Sequence, residues 1–445
     1  MTEHADTIAA IATAPSAAGI GILRVSGPAS AHIAQRILRR TPKARYAHYV
    51  SWYDDQDELI DQGLLLYFPA PNSFTGEDVV EFQGHGSLPL LHRGLRQLCL
   101  YGARKALPGE FSQRAFLNGR LDLTQAEAIA DLISAQSDAA ARAALRSMQG
   151  VFAQRVNTLQ QRLIRLRVHV EAAIDFPEEE IDFLADERIA SELISVTAEL
   201  DALLAEVAQG LRLRDGLKVV LLGAPNAGKS SLLNALTGMD RAIVSAQAGT
   251  TRDIVEEQLQ LAGASLTLAD TAGVRDSGDE VEREGIRRTR EALKQADIVL
   301  AVIDCSRADT AQQKAILREE LATSMKVLWI ANKSDLTAQS ATVASDFLRV
   351  SSKCGEGIDE LRDRLRHIAA DQHGPGTFSA RQRHLDALRA VADHLQHGEA
   401  HLNSRQGELL AEDLSLAQNA LSEITGQYLS DDLLGEIFSS FCIGK

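Results

Sequence analysis

The 445-residue sequence predicts a multidomain protein, with an N-terminal α/β domain, an all-α helical domain split in two, and an α/β domain inserted between the two helical parts. Three observations predict this arrangement. Short β-type runs fill residues 1–118, and amphipathic helical patterns occupy 119–215 and return over 377–445. A β run followed by a glycine-rich loop opens the segment 216–370 between them.

The N-terminal domain is predicted from short aliphatic and β-branched runs separated by turn residues. The runs predicted as strands are Thr7–Thr13, Gly21–Val25, Leu64–Phe68 and Asp78–Phe82. The apolar stretches 33–38 and 88–98 are typical of helices. A mixed α/β domain follows from this alternation.

The helical domain is predicted from apolar residues spaced by three and four, which line one face of a helix. The first such stripe is Leu159, Leu163, Leu166, Val170 and Ala173. The second is Leu193, Val196, Leu200 and Leu203, and the third is Leu385, Leu388, Val391 and Leu395. Since the third stripe lies beyond the inserted segment, the economical interpretation is one helical domain split in sequence.

Composition restricts the partners and the compartment. The net charge of −15 argues mildly against broad nucleic-acid binding, which depends on basic surface. The four cysteines form no C-x-x-C pair, as expected of reduced thiols. Residues 1–20 lack a basic signal region, and no stretch of ~20 apolar residues is present to span a bilayer. We therefore expect a cytoplasmic protein that does not enter a membrane.

A phosphate-binding loop is predicted where the inserted domain begins. The β run Lys218–Leu222 is followed by G-A-P-N-A-G-K-S, residues 223–230, and then by a helical segment, which is the context that a G-x-x-x-x-G-K-S loop requires. Lys229 is predicted to neutralise the β- and γ-phosphates, and Ser230 to bind Mg²⁺. The predicted nucleotide contacts here are Asn226, Ala227, Gly228, Lys229, Ser230 and Ser231.

Three further motifs follow in the order that a Ras-like GTPase requires. They supply the predicted contacts Asp270, Thr271, Ala272 and Gly273, then Asn332, Lys333 and Asp335, then Ser351, Ser352 and Lys353. The Asp335 carboxylate can accept hydrogen bonds from guanine N1–H and the 2-amino group, which adenine lacks. An unpaired buried acceptor costs about 1–3 kcal/mol, so GTP is the predicted substrate.

The catalytic group for hydrolysis is less obvious, because Val274 follows D-T-A-G where Ras-like proteins have a water-orienting glutamine. The catalytic prediction is Glu282, Asn226, Lys229 and Arg252, with Arg275 as a nearby alternative arginine. Glu282 is predicted to orient water, although one charge on an exposed helix is an equally simple explanation. A K⁺ ion held by Asn226 is predicted to take the place of an arginine finger.

The ligands of the two metal ions are predicted from the same loops. Ser230 and Thr251 are the predicted Mg²⁺ ligands, with Thr250 as the alternative to Thr251. The predicted K⁺ ligands are Asn226, Ser245, Gln247 and Thr250.

Several segments outside these motifs resemble the MnmE (TrmE) family of bacterial tRNA modification GTPases, and the resemblance runs end to end. They are G-I-L-R-V-S-G at 21–27, P-N-S-F-T-G-E-D at 71–78, G-H-G at 84–86, P-G-E-F at 108–111, L-T-Q-A-E-A at 123–128 and F-C-I-G-K at 441–445. The last of these ends the chain.

The resemblance implies a homodimer whose N-terminal domain binds 5-formyl-tetrahydrofolate or a related one-carbon folate. It implies an FAD-dependent partner, MnmG, in a heterotetramer-like complex that adds an aminomethyl or carboxymethylaminomethyl group to C5 of the wobble uridine of certain tRNAs. GTP hydrolysis is expected to be stimulated by K⁺ when G domains dimerise.

Matched to the family, the folate contacts fall on Arg24, Glu81, Arg120 and Lys445. Arg120 stands where lysine is expected, which keeps the charge but changes the donor geometry. Ser245 similarly replaces a more usual threonine but keeps a hydroxyl. Cys442 matches a family cysteine and is a nucleophile, a redox group or a small buried hydrophobe.

Two other classes compete with this interpretation. One is a ribosome-assembly GTPase of the Era or Der kind, but residues after 377 lack the G-X-X-G loop of a KH domain. The other is a membrane or cytoskeletal G protein, which no lipidation signal or basic amphipathic helix supports.

Overall fold

The computed structural model describes residues 6–14, 16–135, 137–175, 187–237, 256–261, 264–270, 292–294, 296–307, 309–319, 321, 326–336, 346–370, 378–426, 431–439, 441 and 444. The chain forms two compact units. One consists of residues 1–130, 147–197 and 387–445, and the other of residues 131–146 and 198–386.

The N-terminal region contains a six-stranded sheet in the order β3-β4-β5-β2-β1-β6. Its strands are β1 (Thr7–Ile11), β2 (Ala18–Ser26), β3 (His48–Tyr53), β4 (Leu59–Phe68), β5 (Val79–Gly86) and β6 (Ala103–Lys105). The pairing is antiparallel except between β1 and β6. The predicted α/β domain is confirmed, although β3 and β6 were not predicted.

Three helices accompany this sheet: α1 (Ser30–Leu38), α2 (Leu88–Leu100) and α3 (Glu110–Leu117). The apolar faces of α1 and α2 join the sheet in one core that includes Ile33, Leu91 and the fully buried Trp52. Gly94 permits the close packing of α2, because a Cβ there would lie 2.6 Å from Leu23 Cδ1.

Four helices follow: α4 (Leu123–Ser134), α5 (Asp138–Met148), α6 (Val151–Asp175) and α7 (Glu187–Asp215). The predicted stripe on α6 is buried from Leu159 to Val170, and Ala173 at its end is half-buried. The stripe from Leu193 to Leu203 on α7 is buried too. The 3.6-residue period therefore predicted both helices correctly.

The inserted domain is a second six-stranded sheet in the order β12-β11-β10-β7-β9-β8. In chain order its elements are β7 (Leu217–Leu222), α8 (Lys229–Thr237), β8 (Glu256–Leu261), β9 (Ala264–Asp270), β10 (Ile298–Asp304), α9 (Thr310–Glu319), β11 (Val327–Asn332), β12 (Phe347–Arg349) and α10 (Ile358–Ala370). All pairs are parallel except β8 with β9. The carboxyl ends of β7, β10 and β11 share one edge, where α/β sheets bind ligands.

The remaining helices are α11 (Gln382–Asn403), α12 (Gly407–Thr425) and α13 (Asp431–Ser439). Helix α12 packs against α6, since Gln160 Nε2 donates to Ser422 Oγ at 2.7 Å and Arg167 Nη1 donates to Gln418 Oε1 at 2.7 Å. Sequence-distant helices thus share one packed surface.

Asp131 on α4 joins the segments that precede and follow the inserted domain. Its buried carboxylate lies 3.2 Å from Arg214 Nε near the end of α7 and 2.8 Å from Arg381 Nη2 just before α11. These contacts agree with the predicted helical domain interrupted by a Ras-like domain. No helix in the described part of the chain is both long and apolar enough to cross a membrane.

Candidate nucleotide-binding site

The loop between β7 and α8 turns sharply, with close backbone packing at one glycine and left-handed backbone at two further positions. A Cβ on Gly223 would lie 2.3 Å from the Val302 carbonyl oxygen. Asn226 and Gly228 have positive φ angles of 65° and 90°. Such backbone conformations turn successive N–H groups toward one concavity, which favours anion binding.

Lys229 lies across this concavity. Its buried side chain donates from Nζ to the carbonyl oxygens of Gly223 at 2.7 Å and Ala224 at 3.1 Å. Ser230 follows in the exposed first turn of α8, where backbone N–H groups and the helix dipole favour a phosphate. The loop therefore brings one cation, one hydroxyl and a helix N-terminus together.

Asn332, at the end of β11, connects this loop to the loop after β12. Its Nδ2 donates to Ala227 O at 3.0 Å, and its Oδ1 accepts from Ser352 N at 3.2 Å and Ser352 Oγ at 2.9 Å. The side chain is buried. Both ends of the amide are thus used, and the two loops are held at a fixed separation.

Asp335 lies in a short 3₁₀ turn, Ser334–Leu336, after β11. Ser351 Oγ donates to Asp335 Oδ1 at 2.7 Å. The carboxylate is exposed, and no hydrogen bond to its Oδ2 occurs within the described residues. One oxygen is therefore oriented by the protein while the other faces solvent, an arrangement suited to accepting N–H groups of a base.

Asp304 is a part of the site that the sequence motifs did not indicate. Lys333 Nζ lies 2.6 Å from Asp304 Oδ2, and Lys333 itself has a positive φ of 67°. Burial alone would raise the pKa of Asp304, but hydrogen bonds from Lys333 and Ser306 lower it below its ordinary value. The Asp304 carboxylate therefore stays charged and holds the Lys333 side chain in place. The only signal in the sequence was its place at the end of a continuous apolar strand.

A second polar cluster lies on the N-terminal sheet, where Arg24 on β2 is directly opposite Glu81 on β5. Arg24 Nε and Nη2 both lie 2.9 Å from Glu81 Oε1. Arg24 Nη1 also donates to Gly444 O at 3.3 Å, which brings the chain terminus to this pair. Gly444 has φ 92°, and a Cβ there would lie 2.5 Å from Ile11 O.

Comparison with known proteins identifies the family. Residues 7–120 match the model described as GTP-binding protein TrmE N-terminus, and residues 123–442 match that described as MnmE helical domain. The tRNA modification GTPase MnmE of Stutzerimonas stutzeri is 53% identical over 455 residues, with 100% of both chains covered. That of Marinobacter nauticus is 52% identical over 456 residues, again with 100% of both covered.

The chain belongs to the MnmE family. Membership in this family of GTPases, together with the loops described above, makes it a GTP hydrolase. Among solved structures, Era from Aquifex aeolicus is 22% identical over 40% of this chain and 66% of that chain, with a TM-score of 0.29. That score is too low to support a functional comparison.

Many of the residues predicted for the MnmE-type site lie outside the described residues: Ser245, Gln247, Thr250, Thr251, Arg252, Thr271, Ala272, Gly273 and Glu282. Asp270 ends β9 with its backbone paired to Leu221. The structure does bring together Asn226, Lys229 and Ser230 of the first loop with Asn332 and Ser352 of the later ones.

The predicted folate residues of the MnmE-type N-terminal domain are only partly described. Arg24 and Glu81 are paired as above, and Arg120 is exposed, with its Cγ near Gly76. Lys445 and Cys442 lie outside the described residues. The roles of these residues toward folate stay predictions.

Proposed function

We propose that the chain uses GTP hydrolysis in the modification of tRNA. The observation that carries this proposal is the end-to-end identity of 53% to a tRNA modification GTPase, which includes both the N-terminal and the helical regions. Asn332 joins the phosphate-binding loop to the loop after β12, which is predicted to contact the base, and this arrangement supports GTP as the substrate. Family membership favours this function over ribosome assembly of the Era or Der kind.

The finer chemistry extends this proposal. With an FAD-dependent MnmG partner, the homodimeric chain adds an aminomethyl or carboxymethylaminomethyl group at C5 of the wobble uridine. The boundaries of its four segments, 1–118, 119–215, 216–370 and 377–445, belong to the same proposal.

Nucleoside analysis of tRNA tests this function in cells that lack the protein. Complementation with the chain should restore the C5-modified wobble uridine, and Lys229→Ala should not, because its ammonium is the cation of the phosphate loop. Lys326→Ala is the matched control, since Lys326 is exposed at the start of β11, away from the loop. Unchanged wobble uridines in the deletion strain would exclude the proposal.

A potassium-assisted mechanism is the second part of the proposal. Asn226 sits in the phosphate loop with a left-handed backbone, which only a minority of non-glycine residues adopt. An oxygen ligand there, with Val274 in place of glutamine, supports a monovalent cation as the group that neutralises transition-state charge. GTP turnover should be faster in K⁺ than in Na⁺, and Asn226→Ala should remove that difference. Equal turnover in both salts would exclude the cation.

Folate binding on the N-terminal sheet is the third part. The Arg24–Glu81 pair, with the Gly444 carbonyl oxygen hydrogen-bonded to Arg24, provides a cation and a carboxylate on this sheet. Arg24→Ala should weaken the binding of 5-formyl-tetrahydrofolate, whereas Arg36→Ala, on α1 of the same domain, should not. Undiminished binding by Arg24→Ala would rule the assignment out.

A further inference from the structure

Helices α11 and α12 carry a group of imidazoles that none of the nucleotide or folate chemistry uses. His394, His397 and His401 are spaced by three and four residues on α11, so all three project from one face of the helix. Asp413 on α12 lies opposite them, with Oδ1 3.3 Å from His394 Nδ1 and Oδ2 3.5 Å from His401 Nε2. All four residues belong to the same compact unit.

The two helices approach closely at this point because Gly398 is buried between the histidines. A Cβ at Gly398 would lie 3.1 Å from Leu410 Cδ1 and 3.8 Å from Asp413 Cβ. Alanine would require the Leu410 side chain to move by a few tenths of an ångström, and a bulkier side chain would meet both Leu410 and Asp413. Glycine is unfavourable in a helix interior, so the small residue at this position is retained against helical propensity.

We propose that His394, His397 and Asp413 bind a transition-metal ion of the Zn²⁺ class, while His401 contacts the second oxygen of the Asp413 carboxylate. One ligand atom from each of the first three residues lies within 4.8 Å of the others. Tetrahedral zinc with Zn–N distances near 2.0 Å requires ligand atoms about 3.3 Å apart. His394 and Asp413 already have this separation, and the exposed His397 ring needs only a side-chain rotation.

His401 contacts the second oxygen of the same carboxylate. Its Nε2 lies 3.5 Å from Asp413 Oδ2, whereas His394 Nδ1 lies 3.3 Å from Oδ1, and its Nδ1 lies 2.9 Å from Gln406 Oε1. Carboxylates that bind a metal are in turn held by outer-shell partners, which orient them toward the ion. His401 is therefore placed to orient Asp413 toward His394 and His397.

The ligand set determines which metals fit. Imidazoles with one carboxylate suit Zn²⁺, Co²⁺, Ni²⁺ and Cu²⁺, whereas Mg²⁺ and Ca²⁺ prefer oxygen ligands only. The site is therefore chemically distinct from the Mg²⁺ site predicted with the nucleotide. A metal here joins α11 to α12 and stabilises their packing, because an ion that binds only the folded state shifts the folding equilibrium.

Titration of the nucleotide-free full chain with Co²⁺, followed by displacement with Zn²⁺, tests the proposal. Visible d–d bands of nitrogen and oxygen ligation, without a thiolate charge-transfer band, are expected at one equivalent. His397→Ala should weaken Co²⁺ affinity by more than about tenfold. Loss of an outer-shell partner already costs about 10–100-fold in metal affinity, and loss of a direct ligand should cost at least as much. His92→Ala, at an exposed histidine on α2, is the matched control and should leave affinity unchanged.

A thermal measurement gives a second readout. Zn²⁺ should raise the unfolding midpoint of the unaltered chain and of His92→Ala, but not that of His397→Ala. Because His397 is exposed, its removal should not impair folding in the way that changing the buried Asp413 would. Equal affinity of the unaltered chain and His397→Ala, or no Co²⁺ bands in the unaltered chain, would overturn the proposal.

Discussion

Asn332 Nδ2 donates to the carbonyl oxygen of Ala227 at 3.0 Å, and this contact joins the end of β11 to the loop before α8. The same amide accepts from Ser352, in the loop after β12, on its other side. Because the amide is buried and paired at both ends, its geometry sets the distance between the loop predicted to hold phosphates and the loops predicted to hold the base.

Replacing Asn332 should therefore weaken nucleotide binding, because the two loops are then no longer joined by its amide. Asn332→Ala leaves the buried Ala227 carbonyl without the Asn332 donor, a loss worth about 1–3 kcal/mol, or roughly five- to 150-fold in affinity. Binding of a fluorescent GTP analogue to the full chain measures this. Ser352→Ala should cost less, because the Ser352 backbone N–H still donates to Asn332 Oδ1. Equal losses in the two variants would contradict the bridging role.

Gly228 supports the same bridge from the other side. Its φ of 90° is unfavourable for any L side chain, and a Cβ would lie 2.3 Å from Asn332 Nδ2. Gly228→Ala should displace the Asn332 amide and abolish measurable binding of the GTP analogue. Gly435→Ala is the control, because a Cβ there meets nothing within 4 Å. Retained GTP-analogue binding by Gly228→Ala would refute the steric argument.

The phosphate loop could be predicted because its chemistry lies in contiguous residues, from Gly223 to Ser230. Asp304 could not, because its bond to Lys333 depends on β10 and β11 being parallel neighbours, with Asp304 opposite Asn332. No spacing in the sequence encodes that register. Strand β3 was not among the predicted runs, since His48–Tyr53 holds a single aliphatic residue, Val50, among polar and aromatic ones.

The ion network around Arg114 was also invisible in the sequence. This fully buried guanidinium lies 2.8 Å from Asp6, 3.2 Å from Glu77 and 3.0 Å from Glu110. Two of these partners are 108 and 37 residues away along the chain, so only the folded sheet brings them together. Arg104 pairs with Asp6 and Glu110 as well, so removal of Arg114 leaves three neighbouring carboxylates with one cation.

Arg114→Met should therefore destabilise the N-terminal domain severely. Loss of one partner of a buried ion pair costs about 3–5 kcal/mol. Arg104 still pairs with Asp6 and Glu110 in this variant, but the half-buried Glu77 loses its ion pair with Arg114. Urea unfolding followed by Trp52 emission reports this domain alone in a Trp329→Phe background, because the chain has two tryptophans. Arg39→Met is the control, as its ion pair with Asp57 is exposed and worth about 0–1 kcal/mol. Similar losses of stability in both variants would show that the buried ion pairs of Arg114 contribute no more than the exposed pair of Arg39.

Glu110 makes the stability of the same domain depend on pH. Burial alone would raise the pKa of Glu110, but hydrogen bonds from Arg104, the Leu107 N–H and Arg114 lower it below 4.5 in the folded chain. A carboxyl group whose folded pKa is depressed stabilises the fold at pH values above its unfolded pKa. That contribution disappears as pH falls from the unfolded value through the lower folded one.

Stability should accordingly fall below about pH 4.5 more steeply in the unaltered chain than in Glu110→Gln, which carries no titrating group at that position. Urea midpoints from Trp52 emission, measured between about pH 6 and pH 3 in the Trp329→Phe background, give both curves. Asp6 has a lowered pKa in the same network, so Glu110→Gln keeps part of the slope. The difference between the two curves isolates Glu110, and parallel curves over this range would mean that its folded and unfolded pKa values coincide.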